Sequence, residues 1–216
     1  MSKLLYNFPG EEYEDKVFFA SDHHFRHRNI LKYCNRPFSS IEEMNETLIE
    51  NWNRKVGKDD IVFHLGDFCF GGEKHWTSIR SRLNGEIILI VGNHDLSSLK
   101  PATLDAFTRP WLDRGRLFVD VCMQTSVKVN GQLMILAHEP LLTYSGMYEN
   151  RVINAFGHVH LRTGYKLDYE SQLEHLRPCQ YDVGVDMNNY TPISYRELKE
   201  KIDEQIKQNK NCLMWI

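Results

Sequence analysis

The sequence predicts an α/β fold in which two mixed β-sheets pack together and helices flank them. Three observations support this class. Short apolar runs in the first half alternate with helical patterns, as in βα units. The strong hairpin turn Asn130-Gly131 lies in a second half that looks more antiparallel. Five of the apolar runs end in Asp, Asn or His residues, and the carboxyl ends of strands are where open α/β folds bind ligands.

The first half contains both strand and helix patterns. The strand candidates are Val17–Ala20, Ile61–Leu65 and Glu86–Val91. Ser40 and Glu43 have the spacing of a helix capping box, and Gly57 lies just beyond the predicted end of that helix. Its apolar face comprises Ile41, Met44, Leu48 and Trp52. A second helix is predicted over 76–83, and a short helix with loops over 101–116.

The second half is predicted to be richer in strands. The candidates are Phe118–Met123, Thr125–Val129, Gln132–Ala137, Arg151–Phe156 and Tyr181–Val185. Ser194 and Glu197 form a second capping-box pattern, which opens a C-terminal helix. That helix has Leu198, Ile202 and Ile206 on one face. We expect the apolar tail, residues 212–216, to pack against the protein.

Composition limits the class of protein. A chain of 216 residues with 42% hydrophobic composition is long enough for a single domain over 1–216. The net charge of −3 indicates no polyanion-binding surface, so a nucleic-acid site would need a local basic patch. Five scattered cysteines, together with an N-terminus too short and polar for a signal peptide, indicate the cytoplasm. No run approaches the ~18 apolar residues of a membrane span.

The polar residues at the strand ends have the chemistry of a metal site. They are Asp22, His24, Asp67, Asn93, His94, His138, His158 and His160. Mixed carboxylate, imidazole and amide groups favour Mn, Fe, Zn, Co or Ni. The set is too large for one ion, whereas two ions ~3.5–4 Å apart, bridged by a carboxylate and a hydroxide, would use it fully. His94 is then the spare imidazole, suited to protonating a leaving group. His64, inside an apolar run, is expected to be a hydrogen-bonded core residue.

Five motifs in this order closely resemble the calcineurin-like metallophosphoesterase superfamily. They are Asp22-His23-His24, Gly66-Asp67, Gly92-Asn93-His94-Asp95, His138 and Gly157-His158-Val159-His160. The resemblance implies a four-layer α/β sandwich with two divalent ions. It implies that the first metal is held by Asp22, His24 and His160. It implies that the second is held by Asn93, His138 and His158, with Asp67 bridging both. His94 would then assist the leaving group, and Asp95 would orient the His94 ring.

A looser resemblance, over Phe25–Phe38 and Asn188–Ser194, connects the chain to a small, single-domain bacterial or phage branch of that superfamily. The first segment carries four basic residues and three aromatics, which suits either a solvated helix and turn or a platform for phosphate and base. Its candidate substrate-binding residues are Arg26, His27 and Arg36. Arg26 stands where the family pattern leads us to expect a small residue.

The resulting hypothesis is a phosphodiesterase that depends on two metal ions, with a metal-bridging hydroxide as the nucleophile. Manganese ranks first as the metal, and Fe, Zn, Ni and Co stay open. Three alternatives remain: a phosphomonoesterase acting on nucleotides or phosphoproteins, a nuclease on single-stranded nucleic acid, and a non-catalytic scaffold of the same fold. The expected partner is a phosphate-ester substrate, and the sequence does not constrain the oligomeric state.

Overall fold

A computed structural model describes residues 5–108, 117–161 and 176–213 of the chain, with side chains to residue 209. Two five-stranded sheets form the centre of the described structure. The strands are β1 (Leu5–Phe8), β2 (Val17–Ala20), β3 (Ile61–His64), β4 (Glu86–Ile90), β5 (Asp120–Cys122), β6 (Gln124–Val129), β7 (Gln132–Ala137), β8 (Val152–Phe156), β9 (Gln180–Asp182) and β10 (Ile193–Ser194).

Both sheets are mixed. The first has the order β10-β2-β3-β4-β5, with β2 to β5 parallel and β10 antiparallel to β2. The second has the order β1-β6-β7-β8-β9, where only the β6–β7 hairpin is antiparallel. The fold class predicted from the sequence is confirmed. As expected, the second half is more antiparallel than the first, through the β6–β7 hairpin and the β10–β2 pair, although β7, β8 and β9 run parallel to one another.

The core forms two layers because successive side chains of a strand point to opposite faces. On β2, Phe18 and Ala20 pack among the helices, whereas Val17 and Phe19 belong to the layer between the sheets. The second sheet completes that inner layer, for example with Met134. The central strands of the first sheet are therefore buried on both faces, which explains why their sequences are continuously apolar rather than alternating.

Helices flank the sheets. They are a 3₁₀ helix (Glu11–Tyr13), α1 (Ile30–Tyr33), α2 (Ile41–Lys55), α3 (Glu73–Arg80), α4 (Asn93–Ser98), α5 (Pro101–Ala106) and α6 (Tyr195–Leu213). The predicted caps are present: Ser40 Oγ accepts a hydrogen bond from the Glu43 N–H at 3.0 Å. At the start of α6, the Ser194 N–H donates to Glu197 Oε2 at 2.8 Å, and the Glu197 N–H donates to Ser194 Oγ at 3.3 Å.

The strand predictions are confirmed with shifted ends, and β1 and the two-residue β10 were missed. β1 pairs in parallel with β6 at an edge of the second sheet, and its apolar content, Leu-Tyr-Asn-Phe, is too short and mixed to stand out. The second predicted helix begins earlier than expected, at Glu73. Most of the loop expected after 106, and the docking of the 212–216 tail, lie outside what the structure describes. No helix in the described ranges has the length and apolar character needed to cross a membrane.

Candidate metal centre

The predicted polar clusters lie just beyond the carboxyl ends of β2, β3, β4, β7 and β8, so the two sheets contribute to one site. Backbone hydrogen bonds tie the loops after β2 and β3 together. The Asp22 N–H donates to the Gly66 carbonyl at 3.0 Å, and the His24 N–H donates to the Asp67 carbonyl at 2.9 Å. Two motifs that are 45 residues apart in sequence are thus fixed side by side.

The backbone at the site is unusual. Five of the predicted ligands have positive φ angles: Asp22 (57°), His24 (49°), Asp67 (55°), His158 (70°) and His160 (46°). Residues other than glycine rarely occupy this region, and each such residue costs on the order of 1–3 kcal/mol. Strain of this kind persists where the surroundings hold it, and it concentrates at functional sites.

The first donor group consists of Asp22, His24 and His160. Their ligand atoms lie within 4.8 Å of one another. Asp22 Oδ1 is 3.8 Å from Nε2 of both histidines. Within the described residues, Asp22 Oδ1 and both ring nitrogens of His24 are buried without a hydrogen-bond partner. Unpaired buried polar atoms are costly, so their convergence indicates that this group is suited to binding a cation.

The second donor group consists of Asp67, His138 and His158, which are also within 4.8 Å. Asn93 joins them: its Oδ1 is 3.0 Å from His138 Nε2 and 3.1 Å from His158 Nδ1. His138 Nδ1 donates to the Leu65 carbonyl at 2.7 Å, so in the neutral ring Nε2 presents a lone pair. A lone pair facing the Asn93 oxygen is unfavourable unless a cation or a proton lies between the two atoms.

Asp67 lies between the two groups. Its Oδ2 is 3.5 Å from His24 Nε2, and its Oδ1 is 3.6 Å from His138 Nε2. Burial, together with the neighbouring charge of Asp22, raises the pKa of Asp67 to about 8 in the absence of a cation. Bound cations would reverse that effect, because they stabilise the charged carboxylate.

These donors therefore fit divalent metal ions. Two ligands of one ion, each about 2.1 Å from it and at right angles, are about 3 Å apart. The observed separations of 3.0 to 3.8 Å approach that spacing. The donor set combines carboxylate, imidazole and amide groups without thiolate, which favours first-row transition metals over calcium.

A buried ion pair supports the first donor group. Asp186 Oδ2 accepts a hydrogen bond from His160 Nδ1 at 2.8 Å, so His160 Nε2, which is 3.8 Å from Asp22 Oδ1, is the ring nitrogen that faces the first donor group. Arg36 donates to both carboxylate oxygens of Asp186, at 2.9 and 2.8 Å. Burial alone would raise the pKa of Asp186, but the charge of Arg36 and the hydrogen bonds from His160 and Arg36 lower it below its ordinary value.

The prediction that Arg36 grips a substrate phosphate is therefore wrong. Its guanidinium is fully buried and also donates to the backbone carbonyls of Asp22, at 2.6 Å, and His23, at 2.9 Å. Asp186 was missed by the sequence reasoning. It follows the end of β9, so the rule that polar residues after strands mark the site could have found it.

Asp95 does not contact the His94 ring as predicted. Its buried carboxylate accepts hydrogen bonds from three backbone N–H groups, those of Asp67, Phe68 and Gly92, at 2.8 to 2.9 Å. The His94 side chain is 41% exposed, and its Nε2 is 4.0 Å from Asp67 Oδ2. Its backbone N–H donates to Asp67 Oδ1 at 3.0 Å. The tetrapeptide therefore fixes the Asp67 loop through its backbone and through Asp95.

The other two substrate-binding candidates lie near the site. The His27 ring is half-buried and stacks on Phe70, with ring centroids 3.8 Å apart. Burial, followed by the proximity of His94, lowers the pKa of His27 to about 4. Arg26 is exposed at a positive φ of 65°, and its N–H donates to Asn45 Oδ1. Binding of substrate by these residues stays a prediction.

Two fully buried histidines, His23 and His64, lie behind the site and belong to neither donor group. His23 Nδ1 and His64 Nε2 share a hydrogen bond of 2.9 Å, and both rings are fully buried. Burial lowers the pKa of His64 to about 3, so the ring is neutral. The prediction that His64 is a hydrogen-bonded core residue is confirmed.

Glycine is required at two motif positions because other groups approach too closely. A Cβ on Gly92 would lie 2.3 Å from Asp67 Oδ1, and one on Gly157 would lie 2.3 Å from Asp22 Oδ2. Any side chain at either position would displace a candidate ligand. The glycines of these motifs are thus part of the site's geometry rather than simple turn formers.

The fold and the paired donor groups define an α/β sandwich protein with a candidate metal site at its strand ends. The family model for calcineurin-like phosphoesterases matches residues 15–187, and the chain belongs to that family. It is accordingly a metal-dependent phosphoesterase, acting on a phosphate ester.

The chain is also similar to individual proteins. It is 35% identical over 181 residues to an uncharacterized protein of Methanocaldococcus jannaschii, covering 83% of this chain and 86% of that one. It is 38% identical over 82 residues to the Gene 66 protein of Mycobacterium phage L5, covering 37% and 39%. A crystal structure of a protein of unknown function from Aquifex aeolicus matches with a TM-score of 0.62 at 23% identity, covering 85% of this chain and 97% of that one. That last likeness concerns the fold.

Proposed function

We propose that this protein is a phosphodiesterase that uses two metal ions. The observation that carries the proposal is the position of Asp67, whose two carboxylate oxygens face the two donor groups at 3.5 and 3.6 Å. A carboxylate placed in this way is suited to bridging two ions. In this proposal manganese is the first choice of metal, and Fe, Zn, Ni and Co are the others.

Each donor group would hold one ion. The first would use Asp22, His24 and His160, the second would use Asn93, His138 and His158, and Asp67 would be shared. Ions bound there would supply an activated water as nucleophile and neutralise the phosphoryl oxygens. The protein's own contribution is to fix the donors before any ion arrives, through the strained loops and the hydrogen bonds behind them.

His94 would hold a proton at a ring nitrogen and pass it to the departing oxygen. Its partial exposure leaves room for a leaving group beside the ring. Burial, together with the proximity of His138, lowers the pKa of His94. The negative charge of a bound phosphate ester would oppose that shift and favour the protonated ring.

The contacts of Arg36 favour a diester over a monoester, because they remove one of the two arginines predicted to bind substrate. A monoester dianion carries an additional negative charge, which an arginine commonly holds through paired hydrogen bonds. Arg36, the buried cation behind the first donor group, is already bound to Asp186 and to backbone carbonyls. A diester monoanion needs no such partner.

Residues 1–216 would form one domain, since the site needs strands from both sheets. A cytoplasmic location would suit the cysteines, because Cys34, Cys69, Cys122 and Cys179 are free thiols.

A metal and substrate screen tests the proposed function. The metal content of the purified chain is measured, and the metal-free protein is loaded with Mn, Ni, Zn or Mg. Turnover of bis-p-nitrophenyl phosphate is then compared with that of p-nitrophenyl phosphate. We expect about two ions per chain and a higher kcat/KM for the diester. Preference for the monoester would favour a phosphomonoesterase, and absence of turnover with every metal would contradict an enzymatic role for these substrates.

A further inference from the structure

In the described parts of the chain, no carboxylate lies within hydrogen-bond distance of the His94 ring to fix its orientation. Asp95 is occupied by backbone N–H groups, and among the described residues the nearest acidic oxygen, Asp67 Oδ2, is 4.0 Å from Nε2. The His94 ring instead packs against other rings. Its centroid is 5.1 Å from that of Phe70, with the planes inclined by 42°, and 5.3 Å from that of His24 in an edge-on arrangement of 71°.

Phe70 is itself held by a stack. The ring of His27 lies almost parallel to it, at 12° and with centroids 3.8 Å apart, and is 5.9 Å from the ring of His94. Within the described residues, His27 Nδ1 is buried and makes no hydrogen bond. A hydrogen bond of Nδ1 therefore does not hold the His27 ring, and among the described residues Phe70 is its closest ring contact.

The stack joins two ligand-bearing loops. His27 follows His24 in the loop after β2, and its N–H donates to the His24 carbonyl at 3.0 Å. Phe70 follows Asp67 in the loop after β3, and its N–H donates to the Phe25 carbonyl at 2.8 Å. In each loop, one ring thus lies three residues after a candidate ligand. Because both backbones are fixed, the rings have little freedom to move apart.

We infer that Phe70 and His27 are positioning residues for His94: the stacked pair fixes the orientation of the His94 ring, a task for which a carboxylate is commonly used. This inference rests on the proposed function, in which His94 protonates the leaving oxygen. Aromatic contacts are directional as well as apolar, so a ring packed against a fixed ring prefers a limited set of orientations. Orientation of the acid matters most where the leaving group needs a proton.

The test uses two diesters that differ in this need. Methyl 4-nitrophenyl phosphate has a good leaving group, whereas methyl phenyl phosphate has a poorer one that depends more on protonation. His94→Ala is expected to lower kcat for the phenyl ester by about 100-fold. Phe70→Leu is expected to lower kcat for the same ester by about tenfold, with a smaller effect on the nitrophenyl ester and little change in KM.

Combining the variants shows whether Phe70 acts through His94 or independently of it. If Phe70 acts through His94, the double variant Phe70→Leu/His94→Ala is no slower than His94→Ala alone. Multiplication of the two losses would overturn the inference. Metal content should equal that of the wild type in every variant. NMR relaxation of the His94 side chain in the metal-free protein gives a readout independent of activity, and we expect the ring to be more mobile in Phe70→Leu.

A matched pair of variants at His27 tests the stack. His27→Phe keeps a ring on Phe70 and should retain most of the wild-type kcat, whereas His27→Ala removes the ring and should resemble Phe70→Leu. Equal losses in both would show that His27 acts through its nitrogens and would overturn the inference. Full activity of His94→Ala on the phenyl ester is a different failure, because it removes the proposed role of His94 itself.

Discussion

The backbone N–H of Asp67 donates a hydrogen bond to Asp95 Oδ2 at 2.9 Å, which joins the loop after β3 to the first turn of α4. The same carboxylate also accepts from the N–H groups of Phe68 and Gly92. Asp95 therefore holds the backbone of the residue whose side chain lies between the two donor groups. Burial, with the charge of Asp67 as a second cause, raises the pKa of Asp95 to about 7, against the effect of these hydrogen bonds.

Asp95→Ala should destabilise the protein as well as its site. Removing the carboxylate leaves three buried N–H groups without their acceptor, and an unmade buried hydrogen bond costs about 1–3 kcal/mol. We expect the free energy of unfolding, measured by urea denaturation of the metal-free chain, to fall by roughly 2–5 kcal/mol. His94→Ala is the control, since its partly exposed ring makes no such bonds, and it should lose less than about 1 kcal/mol. Equal losses in the two variants would contradict this account.

Arg36→Met should act on stability, because Arg36 is a structural residue rather than a substrate ligand. Among the described residues, the substitution leaves the buried Asp186 with His160 as its remaining ion-pair partner, and breaking a buried ion pair costs about 3–5 kcal/mol. The exposed Arg28 provides the control, and Arg28→Met should change the free energy of unfolding by less than about 0.5 kcal/mol. A stable Arg36→Met variant with a raised KM would instead indicate that Arg36 binds the substrate phosphate.

The contrast between Arg36 and the metal-site residues shows what the sequence could predict. Strand-end position and residue type were enough to gather the candidate ligands, because parallel strands end at one edge of a sheet. Whether a side chain faces the crevice or lies behind it is decided by packing, which is why Arg36 and Asp95 were assigned to the wrong contacts. The Arg36–Asp186 pair joins residues 150 positions apart, and no local pattern reports such a partner.

β1 illustrates the same limit at the level of the fold. Its parallel pairing with β6 joins Leu5 to Ser126, so neither hairpin spacing nor local periodicity could indicate it. The hairpin between β6 and β7 was predictable because its turn residues, Asn130 and Gly131, adopt the positive φ angles that their residue types suggest. Local chemistry was predictable from the sequence, and long-range partners were not.

Gly92→Ala should impair metal binding through steric displacement. The new methyl group would lie 2.3 Å from Asp67 Oδ1 and 2.6 Å from the Asp67 backbone nitrogen, so the loop must move. We expect a loss of at least about tenfold in metal affinity, measured by titration of the metal-free chain. Gly72→Ala is the matched control, because a Cβ there would have no atom within 4 Å. Unchanged affinity in Gly92→Ala would show that the loop tolerates the shift.

Asp67→Asn tests the bridge most directly. An amide keeps the size of the side chain but removes its charge and one of the two oxygens that face the donor groups. We expect the chain to retain at most one tightly bound ion and to lose turnover of bis-p-nitrophenyl phosphate. Because Asp67 carries a raised pKa when no cation is bound, the metal-free Asn variant should be at least as stable as the metal-free wild type. Metal analysis after dialysis and urea denaturation measure the two effects separately. Two tightly bound ions in Asp67→Asn would contradict a bridging role, whereas loss of metal with unchanged folding would locate the defect in the bridge itself.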